Sequence, residues 1–119
     1  MTFRQGDVFW INLDEPQGSE PGYRHPHVVI QNDLYNGSRI RTVVVCAITS
    51  NMQRARDPGN VVLEKGEANL SKDCAVNVTQ IFTVDKNWLD EYIGTLSNQK
   101  LEKVIEGIRY LIMPVGAKM

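Results

Sequence analysis

Hydrophobic and polar positions along the chain change period several times, and each change marks an element. After Gly6 comes DVFWINL, in which Phe9, Ile11 and Leu13 alternate with Val8, Trp10 and Asn12. Apolar residues on both sides of the alternation predict a strand buried on both faces. Asp14, Glu15, Pro16 and Gly18 end it, because proline cannot donate to a ladder and glycine permits the turn. Beyond a loop reaching Tyr23, Pro26 marks the entry to a second strand, HVVIQ, and the following NDLYNGSR carries an Asn-Gly turn signal. Residues 40–48, IRTVVVCAI, are apolar enough for a central strand. The next stretch, NMQRARDPGN, has no sustained apolar period and reads as an exposed basic loop, after which residues 61–64 resume a strand.

A polar connector containing Gly66 leads to CAVNVTQIF, whose alternation places Val76, Val78, Gln80 and Phe82 on one face and Asn77, Thr79 and Ile81 on the other. Gln80 is the odd polar residue on an apolar face, open to two readings: a strand-end glutamine at the core margin, or a functional group. Residues 85–89 predict a turn or short helical piece, and EYIGTL a last strand. The tail is a helix, with Leu101, Val104, Ile105, Ile108, Leu111 and Ile112 on one stripe. Ser97 is its N-cap, Leu96 and Leu101 form a hydrophobic staple across the cap, and Pro114 stops it. Gly107 inside the helix costs about 1 kcal/mol relative to alanine, and so marks a close approach of the helix to the sheet. Five to seven short strands followed by one amphipathic helix predict an α+β fold, a small twisted sheet or half-open barrel with the helix packed on it.

Composition adds bounds. With 119 residues and 42% hydrophobic content the chain reads as one domain over residues 1–119, able to bury a core without disulfides or metal. The opening MTFRQGD lacks the apolar run of a signal peptide, and no stretch approaches the roughly 20 apolar residues of a membrane span, so a soluble, cytoplasmic protein is expected. Cys46 and Cys74 read as reduced and structural. The net charge of −1 conceals an asymmetry: between Arg24 and Arg56 five arginines face one acid, Asp33, giving +4, so the remainder carries −5. That is either an uneven solvated surface or an electropositive patch suited to phosphates.

Polar chemistry is densest in GSEPGYRHPHVVIQND, residues 18–33, a loop running into a strand. His25 and His27 form an H-x-H pair whose members share a face when extended, but no Cys/His cluster accompanies them, and a surface histidine pair is the simpler reading. No G-x-S-x-G, P-loop or G-x-G-x-x-G motif is present. Cleavage of RNA by its own 2'-hydroxyl fits better, since it needs only a proton acceptor, a proton donor and cationic donors for the phosphorane. Arg24, His25, Thr49 and Gln80 supply such groups.

These residues also carry a resemblance. GDVFWINL, GSEPGYRHP, VVIQND, VVVCAITSN, PGNVVL, VNVTQIFTVDK and IGTLS, in that order, resemble the MazF/PemK toxins of bacterial toxin–antitoxin pairs over nearly the whole chain. The resemblance implies a small SH3-like, CcdB/MazF-type twisted antiparallel β-barrel with a C-terminal helix, and a homodimer. It implies cofactor-free, metal-independent endoribonuclease activity on single-stranded RNA, leaving 2',3'-cyclic phosphate and 5'-hydroxyl ends. It also implies a cognate, MazE-like antitoxin. By position Thr49 matches the family's catalytic threonine and Gln80 an RNA-contacting glutamine. The family's arginine before the proline is here His25, with Arg24 one residue earlier. Neighbours on a strand face opposite ways, so His25 occupies the site as a proton-transfer group, or a bulge brings in Arg24 as the phosphate-stabilising cation. The remaining RNA-binding candidates are Glu20, Tyr23, Ser50, Asn51, Arg54 and Arg56. The competing readings are a CcdB-like gyrase poison and a degenerate member that binds RNA or antitoxin without cutting.

Overall fold

A computed structural model describes residues 2–13 and 24–116. Six strands form one antiparallel sheet: β1 (Asp7–Asn12), β2 (Arg24–Val29), β3 (Thr42–Thr49), β4 (Val61–Leu63), β5 (Cys74–Asp85) and β6 (Tyr92–Thr95). Their order across the sheet is β4-β5-β3-β2-β1-β6. The connector before β5 reaches over to the far edge. There the Ala68 carbonyl lies against Gly94, where a Cβ would clash, and Asn69 Nδ2 donates to the Ile93 carbonyl at 3.0 Å. The sheet is therefore curled into a half-barrel.

Curling divides the apolar residues into two clusters. Val8, Val28, Ile48, Leu63, Val76 and Val78 pack on one side, under Leu101, Val104 and Ile108 of the helix α2 (Asn98–Ile112). Phe9, Ile11, Val29, Val43, Val45 and Val84 pack on the other. Ser97 caps α2, accepting from the Lys100 N–H at 3.3 Å, and Leu96 and Leu101 meet in the first cluster as a staple should. The predicted stripe ends early. Leu111 and Ile112 are 45% and 71% exposed. Gly107 does mark a close approach, but its neighbour is the Gly59 backbone in the turn before β4, not the sheet.

Two local readings change. The Asn-Gly signal belongs to a short helix, α1 (Asp33–Asn36), capped by Asn32 Oδ1 accepting from the Leu34 N–H at 2.8 Å. The clean alternation expected in CAVNVTQIF is broken. Between Cys46 opposite Ile81 and Ile48 opposite Val76, one residue of β3 stands against four of β5. The bulge flips the later faces, so Ile81 packs with the Val76 and Val78 cluster while Phe82 joins the other.

Candidate active site at the parting of two strands

β2 begins three residues before the predicted HVVIQ and carries Pro26 inside it. Its ladder with β1 is unbroken, from Val8 opposite Val28 through Trp10 opposite Pro26 to Asn12 opposite Arg24. No bulge lies at Arg24-His25. The ladder with β3 is shorter, ending at His27 opposite Ala47. The Ile30 N–H donates to Val44 on β3 at 3.1 Å, so strand alternation turns the Pro26 nitrogen toward β3 as well. Proline has no hydrogen to give there, and the ladder stops. Continued in register, it would set His25 opposite Thr49 and Arg24 opposite Ser50.

A cavity of about 400 Å³ occupies this opening, bordered by Trp10, Arg24, His25, Ile48, Ser50 and Lys72. Arg24 and His25 both border this cavity, and no bulge lies between them. They approach differently. Arg24 shares a side with Trp10, its guanidinium 4.7 Å from the indole centroid and its Nη2 3.6 Å from Asp90 Oδ2. That ion pair is exposed and weak, which leaves the cation accessible to an anion. His25 shares the other side with Ile11, His27 and, by register, Thr49.

Thr49 is only 2% exposed, between Ile48 and Ser50 of the cavity wall. Its Oγ1 accepts the Asn51 N–H at 3.1 Å, and Asn51 Oδ1 accepts the Gln53 N–H at 3.1 Å. These two bonds start the 3-10 turn Met52–Arg56 in the segment read as a loop. Arg54 Nη1 lies 3.7 Å from Asp57 Oδ2, while Arg56 is exposed. Arg54, Arg56, Asn51 and the partly buried Gln80 do not border the cavity within this chain. Glu20 and Tyr23 lie outside the described residues.

Sequence reasoning missed three features. Trp10 read as strand core; only the register opposite Pro26 places it in the site. Asn69 and Lys72 read as polar connector, yet the connector forms a cavity wall, with Ala68 and Asn69 both at positive φ. Asn60 ties the basic turn to the bulge, its Nδ2 donating to the Arg54 carbonyl at 2.8 Å and its Oδ1 accepting the Val78 N–H at 2.9 Å. The conformational outlier at Asn69 is of a kind asparagine tolerates, but nothing along the sequence signals it.

The H-x-H pair is not a surface pair. His27 is 1% exposed, with its ring edge-on to Phe82 at 5.8 Å, and burial pulls its pKa down to about 4. Its Nδ1 lies 2.9 Å from the His25 carbonyl oxygen, which makes Nδ1 the protonated nitrogen of a neutral ring. No cluster of three metal-ligating side chains occurs among the described residues. Burial likewise raises the Cys46 thiol to about 12; its Sγ donates to the Asn77 carbonyl at 3.1 Å. Both cysteines are free and buried, as expected.

Known proteins resemble this chain in sequence and in fold. Endoribonuclease MazF6 of Mycobacterium tuberculosis is 38% identical over 112 residues, covering 94% of this chain and 98% of its own. Endoribonuclease MazF of Staphylococcus saprophyticus is 42% identical over 105 residues, 88% and 87% of the two chains. Among solved structures, a mycobacterial endoribonuclease in complex with its cognate antitoxin superposes with a TM-score of 0.76 at 22% identity, covering 95% of this chain and 98% of that one. MazF from Deinococcus radiodurans gives 0.75 at 22%, covering 94% and 97%. Residues 4–112 match the family described as PemK-like, MazF-like toxin of type II toxin-antitoxin system. The chain therefore belongs to the PemK-like, MazF-like toxins.

Proposed function

We propose that the protein is the toxin of a type II toxin–antitoxin pair, an endoribonuclease that cuts single-stranded RNA without a metal. The observation that carries this reading is the gap opened by Pro26, where His25 faces the Thr49 side of the sheet and the Arg24 guanidinium borders the adjoining cavity. In the reaction the 2'-hydroxyl gives its proton to His25, and its oxygen attacks the adjacent phosphorus. The O2'–P bond forms, the P–O5' bond breaks, and O5' takes up a proton from water, while the proton held by His25 passes to solvent. Arg24 stabilises the extra charge on the phosphorane. Thr49 contributes its hydroxyl at the strand end and holds the turn carrying Asn51, Arg54 and Arg56. These, with Ser50 and Gln80, contact the RNA. The protein acts in the cytoplasm as a homodimer and is held inactive by a cognate antitoxin.

The test is incubation of the purified protein with single-stranded RNA in EDTA, followed by analysis of the termini. Fragments ending in 2',3'-cyclic phosphate and 5'-hydroxyl are expected. Intact RNA, or fragments ending in 3'-hydroxyl, overturns the reading.

A further inference from the structure

His27 is unexplained by anything above. A histidine buried among apolar side chains costs free energy, and here its Nε2 meets no hydrogen-bond partner among the described residues. Valine or leucine would fill the same place on β2 without that cost. The structure shows what the imidazole does that an aliphatic side chain would not. Its Nδ1–H reaches back two residues to the His25 carbonyl at 2.9 Å.

That bond falls at a particular place. In the sheet, residues 24–26 of β2 continue the ladder with β1 but not the one with β3, which ends at His27 opposite Ala47. Strand ends held on one side fray and twist. A second restraint on the residue 25 carbonyl limits rotation about the backbone that aims the His25 side chain. The bond starts from a ring that cannot move: His27 is enclosed, stacked edge-on to Phe82, and seated where β2 is paired on both sides.

Resting on the ribonuclease reading above, we propose that His27 is a positioning residue of the active site, its imidazole fixing the residue 25 backbone so that His25 faces Thr49 across the gap. It touches no substrate and transfers no proton. The Nδ1–H tautomer leaves Nε2 with a lone pair rather than an N–H, and a buried lone pair costs less than a buried, unpaired N–H where the described residues offer no partner.

The test compares the full chain with two variants chosen to separate positioning from space filling. His27→Leu keeps the apolar volume and loses the donor. His27→Asn keeps a donor near the Nδ1 position and loses volume. If His27 merely fills the core, leucine is the better replacement by every measure. If it positions His25, the order of activity inverts. Single-turnover cleavage of one RNA should be slower by at least about 10-fold in His27→Leu, with RNA affinity within about 3-fold of the parent, and His27→Asn should recover most of the rate despite melting lower. His27→Leu cleaving as fast as the parent, or His27→Asn cleaving more slowly than His27→Leu, overturns the role of His27 alone. A parent chain that leaves RNA intact overturns the ribonuclease reading, and this one with it.

Discussion

Acidification should weaken the fold, and His27 should account for a measurable share of the loss. Burial holds its imidazole at about 4 against an ordinary 6.5, with His25 adding a smaller push in the same direction and the bond to the His25 carbonyl opposing both. Above about pH 6.5 the ring is neutral in folded and unfolded chains alike, and its protonation contributes nothing to the pH dependence. As pH falls below that, the unfolded chain takes up a proton that the folded chain refuses, so stability declines until the folded ring also protonates near pH 4. At about 1.4 kcal/mol per pH unit, the difference between the two pKa values corresponds to a loss of about 3 kcal/mol. Because the side chain is 1% exposed, solvent screening takes little from that figure. Other groups titrate in the same window, so the measurement is a difference. Urea unfolding of the parent and of His27→Leu at pH 7 and pH 4 should show the parent losing about 3 kcal/mol more than the variant. Equal losses would refute the claim that a neutral histidine is buried at this position.

Four further outcomes follow from the geometry. Gly107→Ala drives a Cβ into the Gly59 carbonyl, backbone against backbone, and should lower stability by about 1–3 kcal/mol in thermal unfolding. Asn60→Ala orphans the Val78 N–H and leaves the Arg54 carbonyl with the Asp57 N–H but not the Asn60 amide, and should cost about 1–3 kcal/mol while speeding proteolysis between residues 51 and 60. Cys46, raised to about 12 and buried, should resist iodoacetamide at pH 8 in the native protein and react once denatured. Arg24→Ala should reduce RNA cleavage by about 100-fold or more, the usual cost of removing a donor to transition-state charge; a rate within a few fold of the parent would place the phosphate-stabilising cation elsewhere.

How far the chain is legible from its residues differs from one element to the next. The final helix was readable to its cap and staple, because Ser97 and the Leu96–Leu101 pair act within a few residues of one another. β1 and β3 were readable within two residues, since apolar alternation and apolar runs are local consequences of burial. α1 was misread as a turn because asparagine before glycine serves a hairpin and a helix end equally. The bulge in β5 was invisible, since nothing in CAVNVTQIF shows that β5 runs three residues longer than β3 between two paired positions.

By itself, then, the sequence determined the main strands, the last helix with its cap and the residue types around the site, all set by neighbours close along the chain. It left the Arg24-His25 question open because facing is a property of pairing. Only the tertiary structure, through the unbroken β1 ladder and the one that Pro26 cuts short, decided that the two residues flank a single cavity from different sides. It also moved His27 from a presumed surface pair into the core. The physical reason is that strand pairing joins residues far apart in the chain, and the last hydrogen bond of a ladder depends on what both partners can offer.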